Sequence, residues 1–475
     1  MIHFSRKIDA ALKFTKTQTF MGVQDLYKEL KARTDAIIEL DYSDLLENNI
    51  SSVAIDGYAL LHASVSTCAM ELCDGIISPK FLTYCTSKIK LFTDNGVRVV
   101  LILDGNSAPM KAMEAAERSS RRADALQNFK KSKHLSHAEQ YKMAIKAAPI
   151  VSQMPSSLAL WCKMNGVEVI RAPYEADPQM AALYHDGYVD AVVSEDSDLV
   201  CYGVRHIIRN FTTSRSLQLI TFQAISDTFY LGADDIRATK YLLWYGMLLG
   251  QDYIKRIKSF GPKNIFKFMT ALMAKNLDDA TSAKALLELF KKCSGAQYNE
   301  SYNQYFDLPF PKSIPETYPE DFSKAVAAFV FSIYYCPKTQ TIRYLHDPNN
   351  INNAEVYAYG VMPIRMDKEF INSVAGSFTV PAGHESWKSY CEFERDSSTL
   401  SIIEEVGVTL KCDPKLVITS SQSSSQSSQE FSRPVTAKPS ELVSTTSRKK
   451  FSKPSSSRFL ANLGELLPNP KDRRE

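Results

Sequence analysis

Carboxylates stand at the ends of several apolar, strand-like segments of this 475-residue chain. Each of four such segments is closed or followed at once by one or two acids: "SVAID" (52–56), "RVVLILD" (98–104), "VEVIRAP" (167–173) and "DAVVS" (190–194). The acids concerned are Asp56, Asp104, Glu175, Asp177, Asp196 and Asp198. A lone aspartate at a strand end is most often a turn residue or a helix cap. Four strand ends that share the habit favour one common site instead.

Carboxylates that meet at one edge of a sheet require positive charge between them. Two like charges about 4 Å apart repel by on the order of 4 kcal/mol at an effective dielectric near 20, so such a cluster takes up protons or binds cations. Ligand sets made of oxygen alone suit Mg²⁺ or Mn²⁺ and disfavour zinc. Two such ions roughly 4 Å apart are the usual arrangement for in-line attack of water on a phosphodiester. Glu195 alternates out of phase with Asp196 and Asp198, and we expect it to face solvent or a helix terminus.

The elements that must position these acids follow from the alternation along the chain. The four segments, and a fifth at "HIIRNF" (206–211), are mostly separated by amphipathic helical patterns. This alternation predicts an α/β fold, with a mostly parallel central sheet flanked by helices. Such sheets place their ligands beyond the carboxyl ends of the strands, where the acids lie. Beyond about residue 225 the pattern is mostly helical. After about Leu416 it is rich in serine and poor in large apolar residues, which predicts disorder.

Two basic stretches complement the acids. Between Gly105 and Ile150 nine Lys+Arg face four acids, and Lys111 and Arg118 lie two helical turns apart on one face. Cations there are suited to bind a scissile phosphate, although a solvated helix laced with pairs such as Glu114–Arg118 is the alternative.

The second basic stretch is "GQDYIKRIKSFGPKNIFKFM", which predicts a helix-turn-helix about Gly261-Pro262. Its backbone amides and lysines could hold duplex phosphates without reading bases. Asp252, after the apolar helix "YLLWYGMLLG", would add a seventh carboxylate.

Composition narrows the class of protein. The chain is 44% hydrophobic and 23% charged, which is typical of a globular protein, and it has no run of eighteen apolar residues, so no membrane segment is expected. Its nine cysteines form no CxxC pair, which indicates a reducing compartment and no structural zinc. Residues 413–475 hold eleven Lys+Arg and six acids, a net charge of +5, so the other 412 residues carry 45 basic and 47 acidic groups, a net of −2. Nucleic acid would therefore be bound through local patches.

The chain resembles the Rad2/XPG family of structure-specific 5′ nucleases, and within it the exonuclease branch. The motifs that carry the resemblance are "MGVQDLYKEL", "AIDGYALLH", "LILDG", "APYEADPQMA", "SEDSDLV" and "GMLLGQDY", in the family's order. The resemblance implies a PIN-like 5′ nuclease fold with a helical arch over 111–150, a helix-two-turn-helix element and a disordered tail. It implies that the seven carboxylates hold two Mg²⁺ ions, for which Mn²⁺ can substitute, and that Lys111 and Arg118 contact the scissile phosphate. It places further DNA contacts at Gly22, Tyr58, His62, Arg121, Arg122, Lys255, Ser259, Gly261 and Lys263.

Some positions depart from the family pattern or keep an alternative interpretation. Tyr58 and His62 could instead serve ordinary helix packing. Ser259 replaces the first glycine of the family's Gly-x-Gly turn, which puts the potassium ion expected there in doubt. Residues 1–20 are either a weak transit peptide or, as we favour, an extension ahead of a start at Met21. If that extension is retained, it could crowd the DNA path near Gly22.

The expected organisation is an extension (1–20), a nuclease core (21–390) and a mostly disordered tail (391–475). The core comprises an N-terminal part (21–120), the arch (111–150), an internal part (151–253) and a helical region (252–390). The tail sequence "SRKKFSKPSSSRFLANLGELL" predicts a nuclear signal followed by a short amphipathic binding helix. Its "SSRFL" resembles the box through which the exonuclease branch binds mismatch-repair proteins, which implies such partners for the tail.

The activity implied is that of a monomeric, nuclear, Mg²⁺-dependent 5′→3′ exonuclease on double-stranded DNA. The enzyme would also have 5′-flap endonuclease activity and would act on 5′ ends, gaps and flaps in DNA repair. The alternatives are a replication-type flap endonuclease, a catalytically silent DNA-binding scaffold and an RNA-directed 5′ exonuclease.

Overall fold

The computed structural model describes residues 26–27, 37–211, 216–229, 231, 235–274, 290, 294, 311, 314–348, 368–392 and 402. The extension 1–20, Gly22 and all of the tail beyond residue 392 except residue 402 lie outside the described residues. Contacts divide the chain into Met1–Cys412 and Asp413–Glu475, and the second unit lies wholly outside the described residues.

A seven-stranded sheet in the order β1-β7-β6-β5-β2-β3-β4 forms the centre of the first unit. Its strands are β1 (Ile37–Leu40), β2 (Ser52–Asp56), β3 (Arg98–Leu103), β4 (Glu168–Arg171), β5 (Ala191–Val193), β6 (His206–Arg209) and β7 (Leu217–Thr221). β6, β5, β2, β3 and β4 are parallel, whereas β7 pairs antiparallel with both β6 and β1. The five predicted strands are therefore present in a mostly parallel sheet. β1 and β7 were not predicted. β1 is a four-residue edge strand with Ile38 45% exposed, which gives little hydrophobic pattern.

Helices cover both faces of this sheet. They are α1 (Gly57–Ser64), α2 (Ala69–Cys73), α3 (Lys80–Thr93), α4 (Ala112–Lys131), α5 (His137–Ala147), α6 (Gln153–Met164), α7 (Ala176–His185), α8 (Asp198–Cys201), α9 (Phe222–Phe229), α10 (Asp235–Leu249), α11 (Pro262–Ala274), α12 (Tyr318–Val330), α13 (Lys368–Ala375) and α14 (Trp387–Cys391). In β2, Val53 and Ile55 pack into the core shared with α1, α3 and α6, while Ala54 packs into the core shared with α7, α10 and α12. Burial on both faces is the normal condition of parallel strands and explains their continuous apolar runs.

The helical arch is formed by α4 and α5, which pack against each other. A 3-10 turn, Pro109–Lys111, leads into α4, and Ser136 and Glu139 form a reciprocal capping box at the start of α5. The arch is fixed to the body at its α5 side, where the Tyr141 hydroxyl donates to the carbonyl of Ser66 and Ala144 is fully buried. Much of α4 stays exposed, so the cations on it are accessible.

The predicted helix directly before Gly261-Pro262 is wrong. α10 ends at Leu249, and Gly250 takes the left-handed conformation (φ +88°), which terminates the helix. A twelve-residue connection, 250–261, then leads to α11 through turns rather than helix. The two helices of this element are therefore α10 and α11, joined by a long loop instead of a tight turn.

The described residues beyond 225 are mostly helical, as predicted, but they also contain a hairpin that was not predicted. β8 (Ile333–Cys336) and β9 (Thr341–Tyr344) pair antiparallel, and the Gln179 side chain of α7 bonds both the amide and the carbonyl of Tyr335. No helix within the described ranges is long and apolar enough to cross a membrane.

Candidate active site

Two of the acids follow neighbouring strands and cap what comes next. Asp56 ends β2, and its Oδ1 accepts the amide N–H of Ala59 at 2.9 Å in the first turn of α1. Asp104 follows β3, and its Oδ1 accepts the amide N–H of Ala176 at 2.7 Å. Both aspartates therefore accept an amide N–H at the start of a helix, as a cap does, but each uses only its Oδ1 for that bond.

Glycine must follow each of these aspartates because the strand ends are crowded. A Cβ on Gly57 would lie 2.5 Å from Cδ2 of Leu103, and one on Gly105 would overlap the carbonyl of Ala172. The "DG" pairs of the sequence are therefore a packing requirement at the edge of the sheet where the acids emerge.

Two further acids come from the start of α7. Glu175 occupies the N-cap position and Asp177 lies in the first turn. The carboxylate of Glu175 contacts the Nζ of Lys111 at 2.8 Å and accepts a hydrogen bond from the Tyr253 hydroxyl. Asp177 points toward the next pair of acids.

Asp196 and Asp198 lie on a tight turn between β5 and α8, which we call the acidic turn (Ser194–Asp198). The hydroxyl of Ser194 accepts the amide N–H of Asp196 at 3.0 Å and donates to Asp56 Oδ2 at 3.1 Å. The amide of Asp198 donates to Asp196 Oδ1 at 2.9 Å. These bonds link Ser194, Asp196 and Asp198 within the turn and tie the turn to Asp56.

The structure brings the six strand-end acids and Asp252 into one crevice. One carboxylate oxygen from each of Asp177, Asp196 and Asp198 lies within 4.8 Å of the others. Asp198 Oδ1 is buried and has no hydrogen-bond partner. A buried carboxylate oxygen without a donor is costly in protein alone, whereas a cation would satisfy it. The donor set is oxygen only, which fits Mg²⁺ or Mn²⁺.

Burial and mutual repulsion raise the pKa values of several of these acids. Burial and the Asp196 carboxylate raise the pKa of Asp177 and of Asp198, and burial raises the pKa of Asp196 to about 6. The surrounding protein and the Asp56 and Glu175 carboxylates raise the pKa of Asp104 to about 7. Because Asp104 still meets solvent, we assign more of its rise to the neighbouring charges than to dehydration. The crevice holds more negative charge than protein groups alone stabilise.

Lys111 and Arg118 reach this crevice from the arch. The Lys111 Nζ lies 2.8 Å from Glu175 and 3.2 Å from Asp252, and the Arg118 Nη2 donates to both oxygens of Asp252 at 2.8 Å. Although burial lowers it, the carboxylates of Glu175 and Asp252 and the Tyr253 phenol hold the pKa of Lys111 well above its usual range. Arg118 also pairs with Glu114 at 3.0 Å, so the alternative i,i+4 pair exists beside the contact with the site.

Tyr253 is a site residue that the sequence reasoning missed. Its hydroxyl donates to Glu175, and the Lys111 Nζ lies 5.1 Å from its ring centroid. The signal was present in the motif "GMLLGQDY", in which Tyr253 directly follows Asp252. Its ring supports Lys111 between the two acids.

The remaining predicted DNA contacts lie on α1 and α4, which form the first surface, and on the connection 250–261 with the start of α11, which forms the second. Tyr58 and His62 are on α1. The surrounding protein, and after it Arg122 and Arg118, lower the pKa of His62 to about 4, although part of the His62 side chain stays exposed. Tyr58 is half-buried, and burial and then the Asp104 carboxylate raise its pKa.

The other predicted contacts are on α4 and in the connection before α11. Arg121 and Arg122 are exposed on α4, where Arg121 pairs with Glu114 at 3.0 Å. The second surface carries Lys255, Ser259, Gly261 and Lys263. The Lys255 side chain is 84% exposed and lies 3.4 Å from Glu117 of the arch. Ser259 adopts φ +69°, a conformation that normally favours glycine.

The expectation that Glu195 faces solvent or a helix terminus is wrong. Its side chain is mostly buried, accepts the amide N–H of Asn210 at 2.8 Å and lies 3.4 Å from Arg209. Strand-like alternation does not hold across the acidic turn, and the turn directs Glu195 toward β6 instead of water.

Comparisons with known proteins agree with this architecture. Residues 21–125 match the XPG N-terminal domain, and residues 166–252 match the XPG I-region. Exonuclease 1 of Arabidopsis thaliana is 29% identical over 253 residues, which cover 53% of this chain and 33% of that protein. Exodeoxyribonuclease 1 of Saccharomyces cerevisiae is 32% identical over 192 residues, which cover 40% of this chain and 26% of that protein.

Among solved structures, the catalytic core of Rad2 in complex with DNA substrate matches 82% of this chain and 95% of that chain, at 17% identity and a TM-score of 0.42. The chain spans about a third or less of the length of the two curated relatives above. The mostly parallel sheet, the arch and the acid-lined crevice define an α/β protein with the 5′ nuclease fold. The two matched XPG domains, at residues 21–125 and 166–252, make the chain similar to nucleases of the Rad2/XPG type. Among curated proteins it is similar to exonuclease 1.

Proposed function

We propose that the protein is a Mg²⁺-dependent, structure-specific 5′→3′ exonuclease of double-stranded DNA with 5′-flap endonuclease activity. We propose that it acts in DNA repair, in mismatch repair and in the resection of recombining ends. The proposal joins the chemistry of the crevice to the similarity with exonuclease 1 relatives.

One observation carries the proposal: the buried, unpartnered Asp198 Oδ1 within the Asp177, Asp196 and Asp198 cluster. A cluster whose acids already have raised pKa values, and in which one buried carboxylate oxygen lacks a donor, favours binding of divalent cations. The residues that would hold two such ions are Asp56, Asp104, Glu175, Asp177, Asp196, Asp198 and Asp252.

Divalent ions, when bound, supply activation of the attacking water and stabilisation of the leaving oxygen. The protein's own contribution is to orient the phosphodiester and to neutralise its charge. Lys111 is held above the crevice by Glu175, Asp252 and the ring of Tyr253, so its ammonium is already placed beside the acids. Arg118 lies on the same face of the arch and presents a planar guanidinium suited to phosphate.

The DNA path follows from the position of the exposed cations. The duplex would lie against the connection 250–261 and the start of α11, with Lys255 and Lys263 on its phosphates. The 5′ strand would pass under the arch, past Arg121 and Arg122, toward Tyr58 and His62. A neutral His62 and a half-buried Tyr58 are suited to stack on unpaired bases.

The finer attributes stay predictions. Mn²⁺ should substitute for Mg²⁺ because both prefer oxygen ligands. A K⁺ ion near the connection 250–261 is predicted by the family resemblance, against which stands Ser259 in place of glycine. We propose that the protein is a nuclear monomer and that mismatch-repair proteins bind its tail, which lies outside the described residues.

The test is cleavage of 5′-labelled blunt, gapped and flap DNA by the full chain and by Asp198→Ala. We expect the variant to lose cleavage by at least about a hundredfold, because a ligand to the reacting site is removed. Binding of flap DNA should stay within about threefold of the wild type, since the phosphate-binding lysines are untouched. Asp94→Ala, an exposed acid at the end of α3, is the matched control and should cleave normally.

Each rival function gives a different result in this experiment. A silent scaffold would bind the substrates without cutting any of them. When a matched RNA flap is added to the substrates, an RNA-directed exonuclease would cut it in preference to the DNA flap. A replication-type flap endonuclease would cut flaps but leave blunt ends. If Asp198→Ala cleaved at nearly the wild-type rate, the metal assignment would be wrong.

A further inference from the structure

The acidic turn is contacted by a residue from the distant N-terminal segment. The Tyr27 hydroxyl donates to the main-chain carbonyl of Asp196 at 2.8 Å, across 169 positions of sequence. Inside the turn the Ser194 hydroxyl accepts the Asp196 amide and the Asp196 carboxylate accepts the Asp198 amide, and the Ser194 hydroxyl also donates to Asp56. Tyr27 therefore bonds the backbone of the turn and not the carboxylate of Asp196 or Asp198.

Tyr27 is held in turn by a charged pair behind the sheet edge. The Arg209 guanidinium lies 3.5 Å from the centroid of the Tyr27 ring, which is close stacking. The Arg209 Nη2 lies 3.4 Å from Glu195 Oε2, and Glu195 Oε1 accepts the amide N–H of Asn210 at 2.8 Å. Only 20% and 23% of the Arg209 and Glu195 side chains are exposed, so both charges are partly shielded from water.

These contacts form a continuous series from Glu195 through Arg209 and Tyr27 to Asp196. Glu195 is fixed to the backbone after β6, Arg209 is fixed to Glu195, and the Tyr27 ring is fixed to Arg209. The hydroxyl at the end of this series meets Asp196 at the point where the turn leaves β5. Glu195 also belongs to the acidic turn, so the series contacts the turn at two places, the Glu195 side chain and the Asp196 carbonyl.

We propose that Tyr27, held by Arg209 and Glu195, is a positioning residue that fixes the acidic turn so that Asp196 and Asp198 can bind a divalent cation. The inference rests on the proposed function, because it concerns the same site. Groups that orient the ligands of a metal without touching it typically contribute 10- to 100-fold to metal affinity. The hydroxyl bonds a backbone carbonyl rather than a ligand atom, so we expect the lower end of that range.

The test compares Mn²⁺ binding by wild-type full chain, Tyr27→Phe and Tyr188→Phe, measured by electron paramagnetic resonance of free Mn²⁺ without DNA. Tyr188 is a matched control, since its hydroxyl also bonds a partner, the Glu168 carboxylate at 2.9 Å, but outside the crevice. We expect Tyr27→Phe to weaken Mn²⁺ binding about tenfold and Tyr188→Phe to leave it unchanged. In cleavage assays the Mg²⁺ concentration for half-maximal rate should rise about tenfold in Tyr27→Phe, with kcat at saturating Mg²⁺ within about threefold.

Each outcome separates the inference from the proposed function. If the wild type does not bind Mn²⁺, the proposed function itself fails. If the wild type binds and Tyr27→Phe binds equally well, or if both tyrosine variants weaken binding alike, the positioning role is refuted.

Glu195→Gln keeps the Tyr27 hydroxyl and removes the charge that holds Arg209. It replaces Tyr27→Phe in the Mn²⁺-binding test if Tyr27→Phe does not fold. We expect it to weaken Mn²⁺ binding about threefold, and unchanged binding in that variant would also overturn the proposal.

Discussion

Replacing Lys111 by methionine should make the metal-free protein less stable and its metal binding tighter. Lys111 places one positive charge between Glu175 and Asp252, at 2.8 Å and 3.2 Å, with only 17% of its side chain exposed. In the absence of a divalent cation it stabilises acids that otherwise repel each other. A bound cation would compete with it for the same oxygens.

The magnitude follows from these distances. At an effective dielectric near 20, each ion pair is worth about 5 to 6 kcal/mol before the cost of dehydration. Dehydration offsets most of this, and breaking a partly buried pair leaves uncompensated acids, so we expect a loss of about 2 to 3 kcal/mol. Removing the competing ammonium should tighten Mn²⁺ binding about tenfold, which is about 1.4 kcal/mol.

Urea unfolding in EDTA and Mn²⁺ titration of the folded chain measure the two effects separately. Lys80→Met is the matched control, because Lys80 forms a single ion pair with Glu71 at 2.6 Å and 60% of its side chain is exposed. Such a surface pair contributes less than about 1 kcal/mol, and its loss should not change Mn²⁺ binding. Weaker or unchanged Mn²⁺ binding in Lys111→Met would refute the idea that the Lys111 ammonium competes with the divalent cation. Equal destabilisation of Lys111→Met and Lys80→Met would show that the Lys111 ion pairs contribute no more than a surface pair.

Two further predictions concern stability. Ser259→Gly should stabilise the chain by about 1 kcal/mol, seen as a higher urea midpoint, because glycine adopts φ +69° without strain; a lower midpoint would contradict the strain argument. Although burial raises it, hydrogen bonds from the amides and hydroxyls of Ser51 and Ser52, at 2.8–2.9 Å, hold the pKa of Asp190 below its usual range. Its stabilisation is therefore present above the unfolded pKa of about 4 and is lost as pH falls through the folded value. Asp190→Asn should cost about 1 to 2 kcal/mol at pH 7 and almost nothing at pH 2, measured by urea unfolding at both pH values, and a cost independent of pH would contradict it.

The parallel strands and the acids at their ends could be predicted from the sequence. A strand buried on both faces needs a continuous apolar run, and the point where that run stops is visible as the first charged residue. Asp56 and Asp104 are such residues, and each is followed by a glycine that the crowded strand end requires. Parallel strands share one carboxyl edge, so the convergence of the acids follows from the topology.

Other features depend on contacts that no local pattern records. The connection 250–261 carries a helix-like distribution of lysines, yet Gly250 ends α10 and the chain turns away. Glu195 appeared to be a solvent-facing residue, and only the return of β6 beside the acidic turn gives it Arg209 as a partner. Tyr27 and Asp196 are 169 positions apart, and their hydrogen bond exists only because the fold brings these two residues together.

The sequence by itself determined which carboxylates gather at the carboxyl edge of the sheet, because short apolar runs mark the buried parallel strands and the acids that follow them. The tertiary structure decided that Lys111 and Arg118 pair with those carboxylates and that Tyr27 contacts the acidic turn. Such contacts arise only when separate parts of the chain pack together.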